Sequence, residues 1–167
     1  MVQVTLRAVR VDLSSNTPVL LLQEADGQRR TLPIFIGAPE AAAIAYAVEQ
    51  VAVTRPMTHD LLATVIAKLG GQLSAVSVTH VEDGTYFAQL ELTTEDGGVV
   101  VSARPSDSVA LAVRSGAPIY VDDALMDAEG VVVAFEDEDL DDGEDEEEAV
   151  EEFREFLDTI RPEDFSG

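Results

Sequence analysis

The stretch from Val99 to Pro118 most constrains what this chain can fold into. Val99, Val100 and Val101 run into Arg104, Pro105, Ser106 and Asp107. An apolar run follows through Val109, Ala110, Leu111, Ala112 and Val113, and Arg114, Ser115 and Gly116 close it. This is the pattern of a strand, a sharp break, a buried short helix and a glycine stop. Arg104 and Asp107 are therefore expected where a strand hands over to a helix N-terminus, at the edge of a core.

The rest of the chain extends that pattern. Residues 2–13 alternate apolar and polar, and the phase slips once between Leu6 and Val9, which predicts a bulge. Residues 18–24 and 30–36 read as two more strands joined by an Asp26-Gly27 turn. Gly37, Ala38, Pro39 and Glu40 then open a helix, with proline and an acid in the first turn. Its continuation, Ala41 to Val48, is apolar all round apart from the Tyr46 hydroxyl, so another element must cover it, in this chain or in a second subunit.

Arg55 and Pro56 break the chain, and Thr58 reads as the N-cap of a helix from His59 to Leu69. Leu61, Leu62, Val65, Ile66 and Leu69 form its apolar face, and Gly70-Gly71 ends it. Strands at about 72–82, 85–95 and 99–104 follow, with turns at Asp83-Gly84 and Asp96-Gly97-Gly98. After the helix at 106–115, with Ser106 as its N-cap, Pro118 to Val121 is a short buried strand. Asp122-Asp123 turns the chain, and residues 131–135 read as an edge strand. The fold class is α+β: a mixed, mainly antiparallel sheet packed with three helices.

Charge divides the chain. Residues 136–148 contain 11 acids in 13 positions and cannot bury a core, so they form a linker. Beyond it, Val150, Phe153, Leu157 and Ile160 recur at helical spacing and predict an amphipathic helix, which docks on its own domain or on a partner protein. The expected units are a domain at 1–135, an acidic linker at 136–148 and a C-terminal helix and tail at 149–167. Residues 127–167 carry a balance of −17 and residues 1–126 only −6. Such a chain repels nucleic acid at long range, so any such chemistry needs a local cation or a divalent metal. There is no cysteine, which excludes disulfides and thiolate chemistry. The longest apolar run falls well short of the roughly 20 residues of a membrane span, and no signal segment precedes the first strand pattern, so a cytoplasmic protein is expected.

Three stretches carry a resemblance: Leu32-Pro33-Ile34-Phe35-Ile36-Gly37 with Glu40-Ala41; Arg55-Pro56-Met57-Thr58-His59-Asp60-Leu61; and Arg104-Pro105-Ser106-Asp107 running to Arg114-Ser115-Gly116-Ala117-Pro118-Ile119. Together, in this order and spacing, they resemble the bifunctional nuclease domain family. The resemblance covers roughly residues 1–135. It implies a compact α+β domain, often oligomeric, and nuclease activity on RNA and DNA.

The residues that suit such chemistry stand at three helix starts, where backbone N–H groups also favour an anion. Glu40, His59, Asp60 and Asp107 are the acid and base candidates. Arg55 and Arg104 are the phosphate-binding candidates. Glu40, Asp60 and Asp107 are also the candidates to hold a divalent metal, Mg²⁺ or Mn²⁺. His59, with its near-neutral ordinary pKa, is the natural proton shuttle. The expected activity is hydrolysis of RNA or DNA with low sequence specificity.

Each residue has a structural reading too. Acids in a first turn stabilise the helix dipole, an Arg104–Asp107 pair pins its own turn, and His80 is an ordinary strand residue. The competing function is a non-enzymatic oligomeric module whose polar cluster is structural.

Overall fold

The structure is a computed structural model and describes residues 1–132. Seven strands and four helices follow one another in this order: β1 (Val2–Asp12), β2 (Thr17–Glu24), β3 (Thr31–Phe35), α1 (Ala38–Val48), α2 (Thr58–Lys68), β4 (Gln72–Glu82), β5 (Thr85–Thr94), β6 (Gly97–Ala103), α3 (Pro105–Ser115), β7 (Ile119–Val121) and α4 (Asp123–Glu129). The strands make one sheet in the order β3-β2-β1-β7-β4-β5-β6. Two antiparallel meanders, β1–β3 and β4–β6, are thus joined through the three residues of β7. That strand pairs antiparallel with β1 and parallel with β4. The expected α+β class and the mainly antiparallel sheet hold.

Local chemistry sets the details. The phase slip in β1 is a register shift between Leu6 and Ala8. Asp83 and Gly84 both take positive φ, 50° and 75°, as the tight hairpin between β4 and β5 requires. Register then places one row of apolar side chains on one face: Leu20 opposite Ile34, Leu22 opposite Leu32, Val4 opposite Ile119, and Val76 opposite both Ile119 and Leu90. All eight are buried. α1 lies against β2 and α3, and α3 lies against β4 and β5. The first half of the apolar run in α1 is covered within this chain: Ala41, Ala42, Ala43 and Ile44 are buried with α3 alongside, while Ala45 and Ala47 are half-buried and Val48 is exposed.

Three expectations are corrected. α3 begins at Pro105 with Arg104 as N-cap, because proline at the first helical position has its φ already set. Ser106 therefore lies inside the helix, buried, and caps nothing. α2 is capped by Met57 rather than Thr58, and the Asp60 carboxylate turns back to accept the Met57 N–H at 2.9 Å. Asp122-Asp123 does not simply turn the chain. Asp122 accepts hydrogen bonds from the Ala124 and Leu125 N–H groups and so starts a fourth helix, α4, which buries Leu125 and Met126. Of the expected edge strand at 131–135, Val131 makes a single bridge to Thr31, and residues 133–135 lie outside the described residues. The acidic linker and the C-terminal helix lie outside those residues.

Arg30 anchors α4. It bonds to Glu24 at 2.6 Å and to Asp127 at 2.6 Å, and it holds the buried Glu24 carboxyl below the usual carboxylate range. His80 is an exposed strand residue whose ring stacks on Phe87 with centroids 4.5 Å apart. Two apolar surfaces are uncovered. On α2, Leu61, Leu62 and Val65 are exposed and only His59 is buried. On β6, every residue except Ala103 is exposed. No helix among the described residues is long and apolar enough to cross a membrane.

Leu20 is fully buried between β1 and β3. Leu20→Ala should lower stability by about 3 kcal/mol, the usual cost of a truncated core leucine, read as a shifted urea midpoint with unchanged slope.

Candidate active site

Three helices begin at one place. Gly37 caps α1, Met57 caps α2 and Arg104 caps α3. Each first turn carries an acid: Glu40, Asp60 and Asp107. The strand-to-helix break at Pro105 turns Arg104 outward, and its side chain is 65% exposed.

A continuous hydrogen-bonded chain crosses this corner. The Arg104 guanidinium donates through Nε to Asp107 Oδ2 at 2.7 Å and through Nη2 to Asp107 Oδ1 at 3.1 Å. The same Nη2 donates to Glu40 Oε1 at 2.8 Å. His59 Nε2 stands 3.0 Å from Asp107 Oδ1. An ionised carboxylate only accepts, so Nε2 carries the proton of that bond. The opposite ring nitrogen, Nδ1, is buried with no partner among the described residues. Arg104 Nη1 makes no hydrogen bond among them, so one edge of the guanidinium is free. Glu40, Arg104, Asp107 and His59 are thereby brought together.

The electrostatics follow from the pairing. Burial pushes the Asp107 carboxyl up, but the Arg104 guanidinium and His59 outweigh burial and hold it below the usual carboxylate range. Asp107 and Glu40 in turn hold Arg104 firmly protonated. Gly37 is part of this arrangement. A Cβ there would stand 2.3 Å from Glu40 Oε2, so any larger residue would make the Glu40 carboxylate shift.

Asp60 belongs to a second, adjoining unit. Arg114, with only 9% of its side chain exposed, donates to Asp60 through Nε, to the Ala110 carbonyl at 2.8 Å and to the Ala43 carbonyl at 2.9 Å. One guanidinium thus ties α1, α2 and α3 together. Asp60 and Arg114, with Tyr46 and Met57, also line an open cleft of about 390 Å³. Sequence reasoning gave Arg114 no role beyond closing its helix. The available signal was its spacing, since Asp107, Ala110 and Arg114 lie on one helical face. Arg55 is exposed and joins neither unit among the described residues.

The donor set does not fit a metal cage. Arg104 occupies the position between Glu40 and Asp107 where a cation would stand, and Asp60 faces Arg114. Among the described residues no group of three or more His, Asp or Glu side chains is placed to hold a metal ion.

Arg114 also holds the Asp60 carboxyl below the usual range, against the opposing effect of burial. Asp60 and Asp107 therefore stabilise the fold above the unfolded carboxylate pKa of about 4, and that contribution is lost as pH falls through their lower folded values. Arg114→Met should lower stability by about 2–4 kcal/mol at neutral pH, since it leaves a carboxylate and two carbonyls unpaired. It should also flatten the acid limb of stability against pH, measured by urea unfolding from about pH 3 to pH 7.

Known proteins share this chain's pattern. The bifunctional nuclease domain matches residues 20–134. An uncharacterised protein of Mycobacterium tuberculosis is 45% identical over 165 residues, covering 99% of this chain and 98% of its own length. "Bifunctional nuclease 1" of Arabidopsis thaliana is 30% identical over 119 residues, covering 70% of this chain. "Bifunctional nuclease 2" of Oryza sativa subsp. japonica is 27% identical over 121 residues, covering 71% of this chain. The chain spans about 37% of the length of each of these two plant relatives. With its motifs on the three helix starts and the domain matched over most of its length, the chain belongs to the bifunctional nuclease domain family.

Proposed function

We propose that the chain hydrolyses phosphodiester bonds of RNA or DNA at the corner where α1, α2 and α3 begin. The observation that carries this reading is the Arg104 guanidinium. It is held on two sides by Asp107 and Glu40, its Nη1 makes no hydrogen bond among the described residues, and Asp107 is bonded in turn to the buried His59. A phosphate oxygen suits that free edge in charge and geometry. Phosphate contacts carry no base information, which agrees with low sequence specificity.

Each residue then has a task. Arg104 binds and orients the phosphate and stabilises the charge that grows as water attacks phosphorus. Glu40 keeps Arg104 in place. A phosphate on Arg104 competes with Asp107 for the guanidinium, so substrate binding itself makes Asp107 a better proton acceptor. Asp107 takes the proton of the attacking water. His59, donating Nε2–H to the same carboxylate, orients it, and Asp107 returns the proton to the leaving oxygen as the P–O bond breaks. Arg55 meets a neighbouring phosphate in front of α2, and Asp60 fixes the start of α2 through Arg114. The reaction takes place in the cytoplasm. No step is assigned to a divalent metal, because the guanidinium already stands where Glu40 and Asp107 would hold one.

A second reading rests on a specific observation. Glu40, Asp60 and Asp107 are each paired with an arginine, as in a cluster that serves only to join helices. In that case the domain is a non-enzymatic oligomeric module.

Cleavage of single-stranded RNA and DNA by the full chain, with Mg²⁺, with Mn²⁺ and with a chelator, separates the two. On the nuclease reading, Arg104→Ala lowers the rate about 10²- to 10³-fold and His59→Ala about 10²-fold, with unchanged circular dichroism. Gly37→Ala, which makes the Glu40 carboxylate beside Arg104 shift, raises KM several-fold with a smaller change in kcat, on the order of twofold. An inert wild-type protein under all three conditions establishes the module reading. Full activity in both Arg104→Ala and His59→Ala places the chemistry elsewhere.

A further inference from the structure

The two edges of the sheet are unlike. β3 is a short edge strand of five residues that carries Pro33, and Val131 bridges to its first residue. β6 is the other edge. Its seven residues, Gly97-Gly98-Val99-Val100-Val101-Ser102-Ala103, contain no charge and no proline. Val99 is 45% exposed, Val100 62% and Val101 41%. Lysines, prolines, bulges or a covering element normally protect an open edge, and among the described residues β6 has none of these.

The backbone of β6 is set for another strand. The loop between β5 and β6 is the two residues Glu95 and Asp96, so Thr94 and Gly97 form the closing pair. Alternation along an antiparallel ladder then turns the N–H and C=O groups of Val99 and Val101 toward β5. Those of Gly98, Val100 and Ser102 face outward, unpaired.

We propose that β6 pairs antiparallel with β6 of a second copy of this chain, across a two-fold axis at Val100. Gly98 then faces Ser102 of the other copy, and Val100 faces its own equivalent. The two seven-stranded sheets become one continuous sheet.

The charges at the two ends of β6 fit a second copy. Residues 1–126 carry a net −6, so two copies repel except along a neutral strip, and β6 is such a strip. The register also aligns opposite charges at both ends. Continuing the pairing past Ala103 brings Arg104 beside Asp96 of the other copy, twice by symmetry. Asp96 is exposed at its turn, and Arg104 is 65% exposed with a free edge. The second copy thereby contributes an acid to the rim of the corner described above. Because the readout is mass, the outcome is independent of whether the corner is catalytic.

Sedimentation velocity of the full chain tests this. The wild-type chain should be dimeric at micromolar concentrations. Val100→Pro removes one outward N–H and leaves the pairing with β5 intact, so it should give a monomer with unchanged circular dichroism. Asp96→Arg, in an exposed turn that does not affect folding, sets two cations together at each end and should weaken dimerisation at least about tenfold in Kd. A wild-type monomer at about 100 µM, far above a micromolar Kd, overturns the proposal. So does a dimer that withstands both Val100→Pro and Asp96→Arg. A dimer that dissociates with Leu61→Lys but not with Val100→Pro would place the contact on α2 and would also overturn it.

Discussion

One buried guanidinium holds this fold in register with its site. Arg114 reaches from the last turn of α3 to a carbonyl of α1 and a carboxylate of α2. The other polar ties between the helices are those of the outer corner, from Arg104 to Glu40 and from His59 to Asp107. α1 and α3 pack through alanines and short aliphatics, and α2 buries only His59. Alanine contacts are close but shallow, so they leave rotation about the helix axes weakly determined. A planar group with five donors in fixed directions determines it strongly. With Asp60 fixed by Arg114, the preceding residue, His59, is carried to Asp107. The geometry of the outer corner is therefore inherited from the inner one.

The corner itself balances two demands. Asp107 accepts three hydrogen bonds from two residues, which makes it well oriented and weakly basic. The proposed hydrolysis calls for the orientation and is opposed by the weak basicity. Among the described residues, Arg104 is the cation within bonding distance of both Asp107 and Glu40, and its Nη1 is unfilled. An incoming anion therefore acts on the basicity of the acid beside it.

Much of this was legible in the chain, for local reasons. The strands and α1 to α3 each carry their own period, and Asp-Gly turns and helix-ending glycines fix their limits. α4 was missed because seven residues with one adjacent apolar pair, Leu125 and Met126, give no period, and Asp122-Asp123 reads equally as a turn. The caps of α2 and α3 shifted because Pro105 and the backward reach of Asp60 set the helix starts ahead of the expected serine and threonine. For the site, three helix starts with acids and arginines were visible, but their meeting was not. Glu40 and Arg104 are 64 residues apart, and His59 and Asp107 are 48 apart, so only the tertiary fold joins them. Arg114 was hidden by a sufficient local explanation, since a basic residue in a last turn already suits the helix dipole. The apolar pattern of α2 was read correctly as a face, yet within one copy of the domain that face is largely uncovered.

The place of β7 has a consequence for how the chain is made. Each meander forms from neighbours in sequence and needs no distant partner. The sheet closes only when β7 lies between them, and β7 pairs Val2 with Val121, almost the whole domain apart. Loop closure on that scale is slow compared with hairpin formation. During synthesis the first meander therefore emerges with the inner edge of β1 bare, and it stays bare until α3 and the three residues after Pro118 have been made. For that interval the nascent domain has an unprotected strand on its N-terminal half, the part a chaperone or a neighbouring nascent chain meets first.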